Sequence, residues 1–95
     1  MISRENIVWA IGYDGNAALV DQAAVRKYGK LTTAQLLESG FFRAAAASAM
    51  YSGSDSELAL VAEVYNRTAR SSYPVEAIPR LFGVAKVTVT RVLSL

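Results

Sequence analysis

An alanine-rich tract in the middle of the chain is the sequence feature that most restricts its fold. Residues 44–50 read AAAASAM, and alanine has the highest helix propensity of the amino acids. Its small side chain also lets a neighbouring backbone approach such a helix closely. The tract is flanked by large apolar side chains, namely Phe41, Phe42, Met50 and Tyr51. This pattern predicts a buried central helix against which the other elements pack.

Capping and turn residues predict four further helices in residues 3–70. Thr32 and Gln35 have the spacing of a capping box, in which two side chains bond the free amides of a first helical turn. Ser54 and Glu57 repeat that spacing ahead of a long apolar stripe. The segment 12–16 is rich in turn-forming residues and separates two helices. The five helices are expected over residues 3–11, 16–28, 32–38, 41–51 and 54–70.

The chain is short for the apolar surface that it carries. Ninety-five residues suffice for one domain, residues 1–95, with one modest core, yet 53% of the residues are hydrophobic. Some of this surface is expected to face a partner, most simply a second copy of the chain in a homo-oligomer. The sequence has no apolar run long enough for a membrane span. The predicted fold class is all-α, a small compact helical bundle over residues 3–70 followed by a C-terminal segment, 74–95.

The sequence contains neither cysteine nor histidine. The commonest general base, the thiolate nucleophile and the usual zinc ligands are therefore all missing. Its eight carboxylates are scattered along the chain and form no D-x-D or E-x-x-E cluster. We expect no catalytic, cofactor or metal site, and no enzymatic activity. A cysteine-free chain is also typical of the cytoplasm, which is the expected location.

Charge is distributed unevenly along the chain. Residues 1–63 carry five basic and seven acidic side chains, giving −2, whereas residues 64–95 carry five basic and one acidic, giving +4. A local positive field of this kind favours contact with a phosphate backbone. Solvation of an outer helix surface explains the same pattern without any ligand, so the asymmetry alone does not decide between them.

The segment 74–95 has the pattern of two short helices joined by a tight turn. Pro74 suits the first position of a helix, and Gly83 can adopt the left-handed backbone geometry of a tight turn. The apolar face of the first helix consists of Ala77, Ile78, Leu81 and Phe82. The buried side of the second helix would consist of Val89, Val92 and Leu93.

Gly83-Val84 followed by Thr88-Val89-Thr90-Arg91-Val92-Leu93 resembles the helix-turn-helix of lac-repressor-type regulators, whose pattern runs Gly-Val-Ser-x-x-Thr-Val-Ser-Arg-Val-Leu. The resemblance covers about a fifth of the chain. It departs from the family at Pro79, where the family has alanine, and at Ala85, where it has a capping serine. The family also carries this motif at the N-terminus, ahead of a large ligand-binding domain.

The resemblance implies a second helix that lies in the major groove of double-stranded DNA. It places Lys86 and Val87 at the base-facing start of that helix, and Thr88 and Thr90 near phosphates. Arg91 would contact the backbone or a guanine edge. These five residues are the predicted DNA-binding site.

The same segment has a second interpretation as a β-strand. Residues 86–92 are dense in β-branched side chains, and apolar and polar residues alternate at their start. Such a C-terminal β-arm would pair with the same strand of another copy.

Two functions therefore remain open. One is a small DNA-binding protein of the transcriptional-regulator type that acts as a homodimer, and the other is a non-enzymatic protein-interaction or assembly module that binds no nucleic acid.

Overall fold

The computed structural model describes residues 3–84 and 91–94, in which helices are combined with a small β-sheet. The order along the chain is α1 (Arg4–Val8), β1 (Ala10–Asp14), β2 (Ala17–Val20), α2 (Gln22–Tyr28), α3 (Thr33–Glu38), α4 (Phe42–Ser52), α5 (Asp55–Ala69), a 3-10 turn (Val75–Ala77), α6 (Ile78–Leu81) and β3 (Arg91–Ser94). The sheet has three strands in the order β1-β2-β3. The prediction of an all-α fold is therefore wrong.

The error lies first in the region between α1 and α2. The expected first helix ends at Val8, and the expected second helix begins at Gln22, because residues 10–20 form an antiparallel β-hairpin. The two-residue turn contains Gly15 in left-handed geometry, with φ of 60°, as hairpin turns require. The hairpin turn and the pairing of both strands therefore override the helix propensity of the two alanines that open β2.

The C-terminal segment is the second place where the all-α prediction is wrong. Arg91–Ser94 form β3, so the helix expected over 84–94 does not extend across these four residues. β3 runs parallel to β2, with Ala17 opposite Arg91 and Val20 opposite Ser94. It therefore pairs with a strand of its own chain, whereas the β-arm interpretation expected the same strand of another copy. Residues 85–90 lie outside the described part of the chain.

Helix α4 forms the centre of the main core, as the alanine-rich tract predicted. All six residues from Ala44 to Ala49 are buried, and α1, α3 and α5 pack on this helix. The largest fully buried side chains that complete this core include Val8, Leu36, Val61 and Ile78. A second, smaller cluster lies on one face of the sheet and consists of Ala10, Ala18 and Val20.

Helix ends follow the capping residues only in part. The capping box predicted at Thr32 and Gln35 is complete, with both reciprocal hydrogen bonds present. Ser54 caps α5 by accepting a hydrogen bond from the Glu57 amide at 3.2 Å, whereas the Glu57 side chain turns to a different set of partners. None of the helices in residues 3–84 and 91–94 is long and apolar enough to cross a membrane.

Candidate functional site

Of the five residues predicted to bind DNA, only Arg91 lies in the described part of the chain. Lys86, Val87, Thr88 and Thr90 fall within residues 85–90. Arg91 is exposed and opens β3, where its amide donates to the Asn16 carbonyl at 3.3 Å. Directly paired residues of neighbouring strands share a face of a sheet, so Arg91 lies on the same face as Ala17 and Asp14. Arg91 therefore lies on a sheet face that also carries the acidic residue Asp14, two strands away.

The turn at Gly83 follows a single helical turn. Gly83 has the expected left-handed geometry, with φ of 66°, and its amide donates to the Arg80 carbonyl at 3.2 Å. Val84 donates to the Pro79 carbonyl at 2.8 Å and packs against the main core. The preceding helix, α6, spans only Ile78–Leu81 and extends N-terminally as a 3-10 turn.

Four aromatic rings from α4, α5, the loop after α5 and the C-terminal end of α6 meet in one cluster, which we call the aromatic face. Its members are Phe42, Tyr65, Tyr73 and Phe82. Tyr65 lies at the centre, with its ring centroid 5.3 Å from that of Phe42 and 5.0 Å from that of Phe82, both edge-on. Such pairs contribute about 0.5–1.5 kcal/mol each beyond their buried area. None of the four rings is fully buried.

Asn66 fixes the backbone of Tyr73, the residue that carries the outermost ring of the aromatic face. Its side-chain amide donates to the Tyr73 carbonyl at 2.9 Å, and its side-chain oxygen accepts from the Tyr73 amide at 3.0 Å. The same oxygen accepts from the Ser71 hydroxyl at 2.9 Å. Tyr73 is therefore held against Tyr65, at a centroid distance of 6.2 Å, although it is 43% exposed. An exposed aromatic residue that is already ordered loses little conformational entropy when a partner covers it.

Aromatic residues are enriched at protein interfaces, so the composition of the aromatic face is that of an interaction surface. Two residues of α6 near Phe82 in the chain are also exposed, namely Leu81, which is 37% exposed, and Arg80. Leu81 directly precedes Phe82 and Arg80 lies two residues before it, whereas helix side chains share a face at a spacing of three or four residues. Neither residue belongs to the aromatic face.

The free edge of β1 is protected against pairing with another strand. Trp9 accepts from the Asp21 amide at 3.1 Å, so in the alternating antiparallel pattern the carbonyl of the next residue, Ala10, points away from β2. The Arg43 guanidinium donates a hydrogen bond to that carbonyl at 2.5 Å. The β1–β2 register also shifts between Ala10 and Gly12. A short, irregular edge with a charged side chain on it resists strand addition.

A polar pocket of about 260 Å³ lies among α1, α3, α4 and α5. Its polar lining consists of Arg4, Lys30, Thr32, Thr33, Ser48, Ser52 and Glu57. Arg4 donates to the Leu31 carbonyl and to the Ser48 hydroxyl, both at 2.7 Å. The chain of hydrogen bonds continues from Ser48 to Thr33 at 2.8 Å, and from Thr33 to the Glu57 carboxylate.

Within residues 3–84 and 91–94, no group of three or more His, Cys, Asp or Glu side chains is arranged to hold a metal ion. Comparison of the chain with protein-family models, with curated proteins and with solved structures found no significant match. The aromatic face and the polar pocket are thus assigned from geometry alone.

Proposed function

We propose that this protein is a non-enzymatic interaction module that self-associates through the aromatic face. The observation that carries the proposal is the half-exposed ring of Tyr73, which lies 6.2 Å from the Tyr65 ring and whose backbone Asn66 fixes with two hydrogen bonds. Burial of such anchors supplies most of the binding energy in typical interfaces. The high apolar content of a 95-residue chain supports the same conclusion, since some of that surface is expected to be covered by a partner.

A second copy is the simplest partner, because soluble oligomers are mostly symmetric homodimers built from one self-complementary patch. Strand-to-strand association is the alternative, which Arg43 and the register shift oppose at the edge of β1, whereas the other outer edge of the sheet belongs to β3. A cytoplasmic location, expected from the cysteine-free sequence, remains part of this proposal.

The test is the mass of the protein in solution, measured by light scattering. We expect a dimer or larger oligomer at tens of micromolar, where an interface of ordinary size is occupied. Tyr73→Asp places a charge within the aromatic face and should yield a monomer, while fold stability should fall by no more than about 1.5 kcal/mol, the order of one aromatic pair, because the ring is exposed. The matched control is Ile11→Asp, which alters the exposed apolar residue of β1 and should leave the mass unchanged. A wild-type monomer at about 100 µM, or equal loss of assembly in both variants, contradicts the proposal.

DNA binding is the second candidate function, and exposed arginines favour it. In the described part of residues 64–95, Arg67, Arg70, Arg80 and Arg91 are exposed, against one acidic residue, Glu76. Of these, Arg67 is paired with Glu63 at 3.0 Å. The resemblance of residues 83–93 to a helix-turn-helix adds Lys86 to the set.

Fluorescence anisotropy with random duplex DNA tests this second candidate. If the protein binds DNA, affinity should fall steeply with added salt, because neutralised phosphates release counterions. Lys86→Ala and Arg91→Ala should each weaken binding, whereas Lys27→Ala, in the acidic part of the chain, should not. Absence of binding at ~50 mM salt and ~100 µM protein, where non-specific DNA binders register, removes this candidate.

A further inference from the structure

The polar pocket is lined by two cations, Arg4 and Lys30, and by one anion, Glu57, and neither cation pairs with that anion. Within residues 3–84 and 91–94, the only ion pair closer than 4.0 Å joins Arg67 to Glu63. Arg4 is partly buried and bonds only neutral acceptors, namely the carbonyls of Gly29 and Leu31 and the hydroxyl of Ser48. Glu57 accepts hydrogen bonds from the hydroxyls of Thr33 and Ser52.

A chain of hydrogen bonds links Arg4 to Glu57, and the chemistry of these groups determines which atom donates in each bond. A guanidinium can only donate, so Ser48 accepts from Arg4 and uses its single proton toward Thr33. An ionised carboxylate can only accept, so Thr33 uses its own proton toward Glu57. Thr33 and Ser48 are 5% and 2% exposed, and both hydroxyl protons are thereby used within the protein.

The groups that remain available therefore lie at the two ends of the pocket. Arg4 has five N–H donors, of which three are used in the bonds named above. Lys30 and Thr32 are exposed parts of the lining, and Thr32 accepts from Gln35 without using its hydroxyl proton. At the other end, each carboxylate oxygen of Glu57 accepts one hydroxyl and keeps further lone-pair sites.

We propose that this pocket binds a small zwitterion, specifically a free α-amino acid. The ligand carboxylate would bind Arg4 and Lys30, and its ammonium would bind Glu57. The volume of about 260 Å³ lies just below the range of pockets that hold drug-sized ligands, so it suits a smaller molecule. The two ends are connected by three consecutive hydrogen bonds, a span of roughly 8 Å at most, which an α-amino acid can bridge by bonding at both charged groups. This proposal does not depend on self-association or on DNA binding.

Isothermal titration calorimetry of the full-length protein with a panel of single α-amino acids tests the proposal. Each amino acid is compared with its deaminated carboxylic acid, with its decarboxylated amine and with inorganic phosphate. At least one amino acid should bind at millimolar concentration or better, and tighter than both of its truncated analogues, because each analogue leaves one charged end unpaired. Binding of phosphate or of the carboxylic acid with equal affinity overturns the zwitterion assignment, and absence of binding by every amino acid overturns the site.

Two variants locate the binding to the pocket. Lys30→Gln should weaken amino-acid binding about two- to fivefold, as expected for one exposed ionic contact. Lys27→Gln is the matched control, since Lys27 lies over the Tyr28 ring at 5.3 Å outside the pocket, and it should bind like the wild type. Glu57→Gln should bind an amino acid and its deaminated analogue with equal affinity. Unchanged discrimination in Glu57→Gln, or equal effects of the two lysine substitutions, contradicts the assignment.

Discussion

At the scale of single residues, polar side chains form hydrogen bonds near both ends of α5, and the one at the N-terminus caps the helix. The first amides and last carbonyls of a helix have no partner within the helix. Ser54 accepts from the Glu57 amide at the N-terminus. Near the C-terminus, the Asn66 side chain binds both backbone groups of Tyr73 and thereby orders the loop that follows. One polar side chain thus connects helix termination to the proposed interaction surface.

The N-terminal cap gives a quantitative prediction at this scale. Ser54→Ala removes the acceptor of the Glu57 amide and should lower the free energy of unfolding by about 1 kcal/mol. Chemical denaturation measures the change as a shift in midpoint at constant slope. Ser56→Ala is the control, because the exposed Ser56 hydroxyl contacts Ser54 at 3.0 Å but caps no amide in the described hydrogen bonds. A midpoint that does not move in Ser54→Ala would mean that this hydroxyl does not stabilise α5.

At the scale of elements, the sequence predicted those helices whose ends are determined by residues close to them in the chain. The reciprocal cap at Thr32, the Ser54 cap and the buried alanine helix α4 are all present. Glu63 and Arg67, which are four residues apart on α5, form an ion pair, although both side chains are exposed and the pair contributes little stability.

The sheet could not be predicted in the same way. β2 begins with two alanines, which favour helix in isolation, and its strand geometry depends on pairing with β1 and β3. The parallel partner of Ala17 is Arg91, which is far away in the sequence, so no local pattern specifies the register. The Gly15-Asn16 pair, which forms the two-residue turn, was a local indication of a hairpin, and the interpretation as a turn between helices overlooked it.

The candidate sites were predicted only as separate residues. Phe82 was expected on the apolar face of a short helix, but its meeting with Phe42, Tyr65 and Tyr73 requires the tertiary packing of α4, α5 and α6. The polar pocket has no sequence motif, because its side chains come from several elements. Glu57 shows that tertiary contacts can override a local pattern. Its spacing from Ser54 predicted a capping role, but its carboxylate binds Thr33 and Ser52 instead.

At the scale of the whole molecule, the fold combines a main core around α4 with a smaller cluster on one face of the sheet. The sheet presents a protected edge at β1, whereas the aromatic face presents ordered, half-exposed rings. This contrast is the basis for assigning assembly to the aromatic face. The polar pocket has its own charged lining and is the proposed binding site of a small ligand.

The most direct test of self-association through the aromatic face is an isotope-filtered NMR experiment on a mixture of labelled and unlabelled protein. Only contacts between two copies give intermolecular nuclear Overhauser effects in such a mixture. We expect these effects at the side chains of Tyr65, Tyr73 and Phe82, because those residues would be buried between the two copies. Effects confined to residues of the sheet such as Ile11 and Leu93, or no intermolecular effects at a concentration of about 1 mM, would contradict the account.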